Sequence, residues 1–397
     1  MKKDMTICLK NASLCDARLW NVKADVLVED GVITDVGTGL TGDEVIDLDG
    51  CTLLPGLIDA HIHMVSGGED FDDASLKSWA QAGVLAVRDL GLGNGESADR
   101  YLEWLCTTVK PENALVVTAG QPVAAWGGYM HRMMGKENGI GVKTPAEAEA
   151  AIETQIRKGC QGVKIAMDYD MLDENTPQYT PETVRAIAAK AKELGVWCTA
   201  HVQMAKFLRI LVENGIPEMA HTVLDPIPED LLDEMVARDI PICSTLQPIN
   251  VPRPPLPKEE LDRMPPQMRE TIAKIEAIDT AQQEKDAVDN IRRFHQKGGT
   301  VVMGTDTMRM TQQPGNARIP LRELHLLRQA GLSVQEVIDA CTKNAARACG
   351  LTDMGSITPG KAACLIAVPG ELTEVDALEN VRFVMNRGVI IRNEITN

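Results

Sequence analysis

Apolar and polar positions alternate with period two at both ends of the chain. Residues 5–53 contain the runs TICLKNASL, ADVLVEDGVITDVG and EVIDLDGCTLL, and ACLIAVPG and VRFVMNRGVIIRNEI repeat this pattern near the C-terminus. Turn-forming pairs such as Asp30-Gly31 and Arg387-Gly388 separate the runs. This pattern predicts antiparallel strands joined by hairpins. We expect residues 1–53 and 356–397 to form one small composite β-sandwich.

Between these ends, short apolar runs alternate with amphipathic helical patterns. The strand-like runs lie near residues 57–62, 84–90, 114–119, 162–166, 196–201, 217–221, 240–245 and 300–305. Several helical patterns, such as PETVRAIAAKAKELG, begin at Thr or Pro and end at Gly, as helix caps do. Eight strands alternating with helices predict an α/β fold in which residues 54–355 form a (β/α)8 TIM-like barrel. Periodicity alone does not exclude an open doubly wound sheet.

One connection is much longer than the others. Residues from about 247 to 298 begin with QPINVPRPPLPKEELDRMPPQ and continue as a charged helical stretch from about Met268 to Gln296. The Pro-rich part cannot form a regular helix or a central strand. Because the connection would leave the face where barrel strands end, we interpret it as a lid over the substrate. A contact between subunits is the alternative.

Titratable side chains lie at the tails of the middle runs. In chain order they are His61, His63, Lys164, His201, His221 and Asp306. In a barrel all strand C-termini open on one face, so residues distant in sequence converge there. His61 and His63 lie two positions apart on a strand and therefore point to the same side, where both can hold one ion. The order of these residues indicates a metal site at the end of the barrel.

Lys164 lies in the apolar run GVKIA, on a predicted interior strand. Burying an unpaired ammonium is costly and lowers the pKa of the amine. A neutral amine can react with CO2 to give a carbamate, whose two oxygens can bridge two cations. The alternative is a buried lysine paired with a carboxylate.

His201, His221 and Asp306 complete the set of candidate ligands. The two histidines end consecutive runs and can supply imidazoles to a second metal. Asp306, in MGTD, can ligate a metal and also accept the proton of an attacking water. Four His, one modified Lys and one Asp are more ligands than a closed four-ligand zinc site needs, and they suffice for a two-metal hydrolytic site.

Charge and cysteine usage restrict the partners. The net charge is −17 and the pI is near 4.9. A surface this acidic repels phosphate backbones and anionic lipid, so we expect no nucleic-acid or membrane partner. Ten cysteines without CxxC spacing indicate reduced thiols in a cytoplasmic protein. We find no signal peptide and no apolar run of roughly 18 residues, so no transmembrane helix is expected.

The motifs PGLIDAHIH, GVKIA, TAH, MAH and GTD, in this order, resemble the amidohydrolase superfamily, in the branch with a carboxylated lysine and a binuclear metal centre. The stretch LRELHLLRQAGLSVQEVIDACTKNAARACG looks closest to imidazolonepropionase-like and Xaa-Pro dipeptidase-like hydrolases. The resemblance implies the barrel and the composite sandwich. It also implies one metal held by His61, His63, Lys164 and Asp306, and another held by Lys164, His201 and His221.

The cofactors implied are two divalent ions and a CO2-derived carboxylate on Lys164. Zinc is the expected metal, although His and carboxylate ligands also suit manganese and iron.

Two segments depart from the family pattern where the substrate should lie. WGGYMHRMMG (Trp126 to Gly135) has Tyr129 where relatives often have histidine, with His131 two positions later. MDYDMLD follows Lys164 where a segment of small residues is common. We expect the substrate to contact Tyr129, His131, Tyr169 and Arg309. His131 is the predicted catalytic donor to the carbonyl oxygen, and Tyr129 is the alternative for this role.

These residues predict a hydrolase that cleaves an amide or cyclic-amide C–N bond of a small molecule. The substrates considered are a dipeptide, an N-acyl amino acid and a lactam-like ring. A metal-bridging hydroxide would attack the carbonyl, and Asp306 would carry the proton to the leaving nitrogen. The alternatives are an aminohydrolase that deaminates a heterocycle at one metal, and a non-catalytic metal-binding protein. Nothing in the sequence argues against a homo-oligomer.

Overall fold

The computed structural model describes most of the chain. The described residues are 5–64, 73–91, 95–133, 136–137, 139–169, 175–251, 269, 273–274, 276–308 and 319–395. The predicted substrate contact Arg309 and residues 252–268 of the long connection lie outside them.

Strands from both termini share one sheet. These strands are β1 (Ile7–Cys15), β2 (Trp20–Glu29), β3 (Val32–Gly37), β4 (Glu44–Asp47), β5 (Cys51–Pro55), β18 (Leu365–Pro369), β19 (Phe383–Asn386) and β20 (Val389–Asn393). Their order is β20-β19-β18-β5-β1-β2-β3, with β4 beside β1. Asp30-Gly31 and Arg387-Gly388 have positive φ at both residues, the geometry that a two-residue hairpin turn requires.

The direction of two strand pairings differs from the prediction. β1 pairs antiparallel with β2, but it runs parallel to β4 and β5. Alternation with period two shows which face of a strand is buried, and it carries no information about the direction of the neighbouring strand. The expectation of antiparallel strands throughout this sheet was therefore wrong.

The middle of the chain alternates strands and helices. Its elements are β6 (Leu57–His63), α1 (Ala74–Ala82), β7 (Val84–Asp89), α2 (Gly95–Leu105), β8 (Leu115–Thr118), β9 (Val123–Ala125), β10 (Arg132–Met133), β11 (Lys136–Glu137), β12 (Ile140–Val142), α3 (Pro145–Arg157), β13 (Gly162–Ala166), α4 (Pro181–Glu193), β14 (Trp197–His201), α5 (Ala205–Glu213), α6 (Glu229–Ala237), β15 (Ile242–Cys243), α7 (Thr280–Gln296), β16 (Val301–Val302), β17 (Thr307–Met308), α8 (Leu321–Gln329), α9 (Val334–Cys341) and α10 (Lys343–Ala348). A 3-10 helix spans Val375–Asn380.

Two of the helices begin as their sequences predict. Thr144 caps α3 and Thr180 caps α4, each accepting a hydrogen bond from a backbone N–H of the first turn. In both helices a proline occupies the first turn, where its missing N–H has no intrahelical partner to lose.

The strands of the middle region pair in parallel, except for the short antiparallel pair β10 and β11. β17, β6, β7 and β8 form one sheet, while β12, β9, β13 and β14 form another. The run near 217–221 forms no regular strand: Met219 alone bridges Ala200 on one side and Ile242 on the other. The chain is thus an α/β protein with parallel sheets.

Aliphatic side chains fill two separate cores. The larger core lies between the parallel strands and the helices, and includes Leu57, Val87 and Ile165. A smaller core lies in the terminal sheet, around Leu9, Val26 and Phe383. All ten cysteines are free, and only Cys106 is exposed. Among the described helices, none has the length and apolar character to cross a bilayer.

Candidate metal centre

The two histidines at the end of β6 present their Nε2 atoms to each other. His61 Nδ1 lies 2.8 Å from the carbonyl oxygen of Ala220, and His63 Nδ1 lies 3.0 Å from that of Gly91. A carbonyl only accepts hydrogen bonds, so each Nδ1 carries a proton, and in a neutral imidazole Nε2 then has a free lone pair. The two Nε2 atoms are 3.3 Å apart. Burial holds the pKa of His61 well below its usual range, so this imidazole stays neutral.

Asp306 lies against both of these lone pairs. Its Oδ1 is 3.3 Å from His61 Nε2 and 3.0 Å from His63 Nε2. Its φ of 52° is the left-handed conformation, which costs free energy for a residue other than glycine. Its backbone N–H donates to the carbonyl of His61 at 2.8 Å, which holds the turn beside β6.

His201 and His221 meet at the same place. His201 Nδ1 is 2.8 Å from His221 Nε2, and His221 Nδ1 is 2.9 Å from the hydroxyl of Thr245. Burial lowers the pKa of both imidazoles. One ligand atom each from His61, His221 and Asp306 lies within 4.8 Å of the others. The structure thus brings four histidines and one aspartate, predicted from different strands, into one cluster.

Lys164 is the central residue of the five-residue strand β13, whereas we expected it at the end of the strand. The side chain is 1% exposed. Burial lowers the pKa of its amine to about 7, a shift opposed by the charge of Asp306 and reinforced by that of Arg88. Within the described part of the chain, the amine has no hydrogen-bond or ion-pair partner. The environment therefore favours a neutral amine.

Other acidic residues hold the cluster in place, and sequence analysis missed them. Asp89 accepts hydrogen bonds from the backbone N–H groups of Met64 and Gly91, and Gly91 in turn accepts from His63. The Oδ2 atom of Asp168 lies 3.6 Å from His201 Nε2. Such partners orient metal-binding imidazoles. Asp89 ends a strand and Asp168 follows one, so the rule that identified the histidines could have identified these carboxylates.

The two candidates for polarising a carbonyl have different surroundings. The ring of Tyr129 lies 4.6 Å from that of His201, tilted by 30°. The ring of His131 lies 4.8 Å from that of Trp126, and its Nδ1 accepts a hydrogen bond from the N–H of Gly127 at 2.9 Å. Tyr129 is therefore in contact with the histidine cluster, whereas the ring of His131 packs within its own loop.

Tyr169, another predicted substrate contact, lies beside α5. Its hydroxyl accepts a hydrogen bond from Lys206 Nζ at 2.7 Å, and its ring meets that of Phe207 edge-on. Because Tyr169 directly follows Asp168, it is one residue away from the carboxylate that faces His201.

The donor set fits divalent metal ions. Neutral imidazole nitrogens and a carboxylate oxygen converge within ligand distance of one another, and their lone pairs would repel each other unless a cation lies between them. Such ligands suit zinc, manganese and iron alike. The set exceeds the four ligands of a closed structural zinc site.

Comparison with known proteins places the chain in a family. A model described as "Amidohydrolase family" matches residues 52–392. A dihydroorotase from Lactobacillus helveticus is 46% identical over 70 residues, which are 17% of this chain and 16% of that protein, so such matches span only a small part of those relatives. An imidazolonepropionase from Deinococcus deserti is 25% identical over 370 residues, covering 87% of this chain and 85% of that protein.

A solved structure shares the fold over nearly the whole chain. A Xaa-Pro dipeptidase with bound methionine in its active site has a TM-score of 0.78 at 22% identity, covering 98% of this chain and 100% of that chain. Members of the superfamily generally use divalent metals. The family match includes every residue of the histidine cluster. The chain therefore belongs to the amidohydrolase family.

Proposed function

We propose that this protein hydrolyses an amide or cyclic-amide bond of a small molecule with two divalent cations. The observation that carries the proposal is the facing pair of Nε2 lone pairs on His61 and His63, with Asp306 Oδ1 3.0 to 3.3 Å away. With each Nδ1 facing a carbonyl oxygen, the two Nε2 atoms and the carboxylate oxygen converge as potential ligand atoms, and a cation is a partner that satisfies all three.

The proposed scaffold is a (β/α)8 barrel formed by residues 54–355, with residues 1–53 and 356–397 as a composite β-sandwich. Backbone hydrogen bonds support closure of the barrel. Gln161 N–H donates to Thr118, which joins β13 to the end of β8, and Ala60 N–H donates to Met303, which joins β6 to the end of β16. The separate core of the terminal sheet supports the second domain.

We assign one cation to His61, His63 and Asp306, and the other to His201 and His221, with a carboxylated Lys164 bridging the two. The amine of Lys164 is buried and has no partner among the described residues, which supports this assignment. When bound, the cations supply Lewis acidity, which lowers the pKa of water and polarises a carbonyl. Zinc is the proposed metal.

Asp306 is the proposed proton carrier. Its side chain is 24% exposed, whereas those of His61 and His63 are 0% and 6% exposed, so Asp306 is the member of this group that solvent and substrate reach most easily. Its carboxylate takes a proton from water and returns it to the leaving nitrogen.

Tyr129 is the proposed donor to the carbonyl oxygen. Its ring contact with His201 supports this role, while His131 already accepts a hydrogen bond from its own loop. Tyr169 and Arg309 remain candidates for holding a substrate carboxylate. The relatives include a dihydroorotase, an imidazolonepropionase and a Xaa-Pro dipeptidase, so we keep dipeptides, N-acyl amino acids and lactam-like rings as substrate classes.

Metal analysis combined with a substrate panel tests the proposal. The protein is loaded with Zn²⁺ or Mn²⁺ in the presence of bicarbonate, and dipeptides, N-acyl amino acids, lactams and hydantoin-like rings are supplied. We expect about two metal equivalents per chain and hydrolysis within the panel. One equivalent with release of ammonia from a heterocycle would indicate the deaminase alternative. Zero equivalents would indicate a protein without a metal site and would end the proposal.

A further inference from the structure

A polar network reaches Asp306 from the loop that follows β15. It begins at Glu323 in α8, whose side chain is completely buried. One carboxylate oxygen of Glu323 accepts the backbone N–H of Leu246 at 3.0 Å, and the other accepts that of Gln247 at 2.6 Å. Because both oxygens bind the main chain of this loop, Glu323 holds the backbone of Gln247 in place.

The side chain of Gln247 spans the turn that carries Asp306. Its Nε2 donates to the carbonyl of Thr305 at 3.2 Å and to the hydroxyl of Thr307 at 3.1 Å. These two residues flank Asp306 in the sequence. A single amide group therefore holds both sides of a residue whose backbone is in the left-handed region.

The turn needs this support because its conformation is unfavourable. A residue other than glycine with φ near +52° costs on the order of 1–3 kcal/mol and persists only where its surroundings hold it. Asp59 contributes from the other side, accepting the backbone N–H of Thr305 at 3.0 Å and its hydroxyl at 2.6 Å. Asp59 also accepts the backbone N–H of His61 at 3.2 Å, but of the two residues that flank Asp306 it bonds only Thr305, whereas Gln247 bonds both.

We propose that Gln247, held by Glu323, is a positioning residue that sets the orientation of the Asp306 carboxylate. This inference rests on the proposed function, in which Asp306 carries the proton. A misplacement of about 1 Å in such a group can cost about 100-fold in rate. Gln247 acts through the turn and is not proposed to contact substrate.

The main variant is Gln247→Met, which keeps the length of the side chain and removes its donor. We expect kcat to fall about 10- to 100-fold and KM to change less than about 3-fold, because the proton transfer step is affected and binding is not. In an Asp306→Asn background, Gln247→Met should cause no further loss, since residues acting as one unit are non-additive. Thr307→Val removes one acceptor of the same amide without altering Gln247, and it should show a smaller loss of the same kind.

Gln161 supplies the matched control. Its amide also binds the main chain, donating to Gly159 at 2.6 Å and accepting from Thr118 at 2.8 Å, but it lies at the start of β13, away from the end where the histidines meet. Gln161→Met should keep kcat, KM and the metal spectrum of the parent protein.

A spectroscopic measurement separates this inference from the proposed function. In protein loaded with Co²⁺, Gln247→Met should shift the visible absorption bands, because the ligand Asp306 turns, while Gln161→Met should leave them unchanged. This comparison needs no substrate, so it decides the inference even if the substrate panel fails. Unchanged bands in Gln247→Met would overturn the inference, as would a wild-type kcat or a fully additive loss with Asp306→Asn.

Discussion

Replacing Lys164 with methionine tests whether its amine is buried in the neutral form, as carbamate formation requires. Methionine has a similar unbranched shape and no titratable group. If the proposed bridge exists, Lys164→Met should lose bound metal and activity together. The same change should make the metal-free protein more stable, because it removes an amine whose charged form is destabilised by burial.

The magnitude follows from the pKa of about 7 in the folded protein. An unperturbed lysine has a pKa of about 10.4, so at pH 8 it is about 0.4% neutral, whereas Lys164 is about 90% neutral. That difference of about 200-fold in reactive amine is what favours a carbamate at this position.

The same pKa values fix the sign of the stability effect. Between about pH 7 and pH 10.4 the unfolded chain binds more protons than the folded one, so the penalty of burying Lys164 falls as pH rises. The penalty is of the order of 4 kcal/mol at pH 7 and under about 1 kcal/mol at pH 10. The metal-free Lys164→Met protein should therefore gain stability on this scale at pH 7, and the gain should nearly vanish at pH 10.

Urea unfolding of the metal-free proteins at both pH values measures this gain. Carbon-13 NMR with labelled bicarbonate, on the metal-loaded proteins, measures the carbamate. Lys158→Met is the control, because Lys158 is exposed and paired with Asp99 at 2.6 Å, and it should keep carbamate, metal and activity. A Lys164→Met protein that binds two metals and stays active would refute the bridge. A metal-free variant less stable than the parent at pH 7 would refute the buried neutral amine.

Three other sets of variants test the rest of the site. Asp306→Asn should lower kcat at least about 100-fold while metal is largely retained, and a fully active variant would remove Asp306 from proton transfer. Tyr129→Phe should lose about 10²–10³ in kcat and His131→Ala should stay near wild type; the reverse order would assign the donor role to His131. Burial raises the pKa of Glu323 to about 7, so between about pH 4.5 and 7 the folded state binds more protons and loses stability as pH rises. The free energy of unfolding of the metal-free protein, measured in urea at pH 5 and pH 8, should differ less between the two pH values in Glu323→Gln than in the parent. An unchanged difference would contradict this prediction.

Local sequence was enough to predict the features that depend on neighbouring residues. The periods of apolar positions indicated the α/β class and the bounds of β6 and β13 to within a few residues, because a buried face imposes its period on any strand or helix. Candidate site residues could also be predicted from their type and position. It is costly to bury two histidines at alternate strand positions, or a lysine in an apolar run, unless these side chains bind or react with a partner. The assignment of His61, His63, Lys164, His201, His221 and Asp306 as ligands remains a prediction.

Contacts between residues far apart in the chain became visible only in the folded protein. The parallel direction of β1 with β4 and β5, the contact of Tyr129 with His201 and the amide of Gln247 across the Asp306 turn leave no local pattern. Asp59 and Thr305 are 246 positions apart, yet they share two hydrogen bonds. Period and propensity act within a few residues, whereas such contacts are set by how strands align and how loops pack above them.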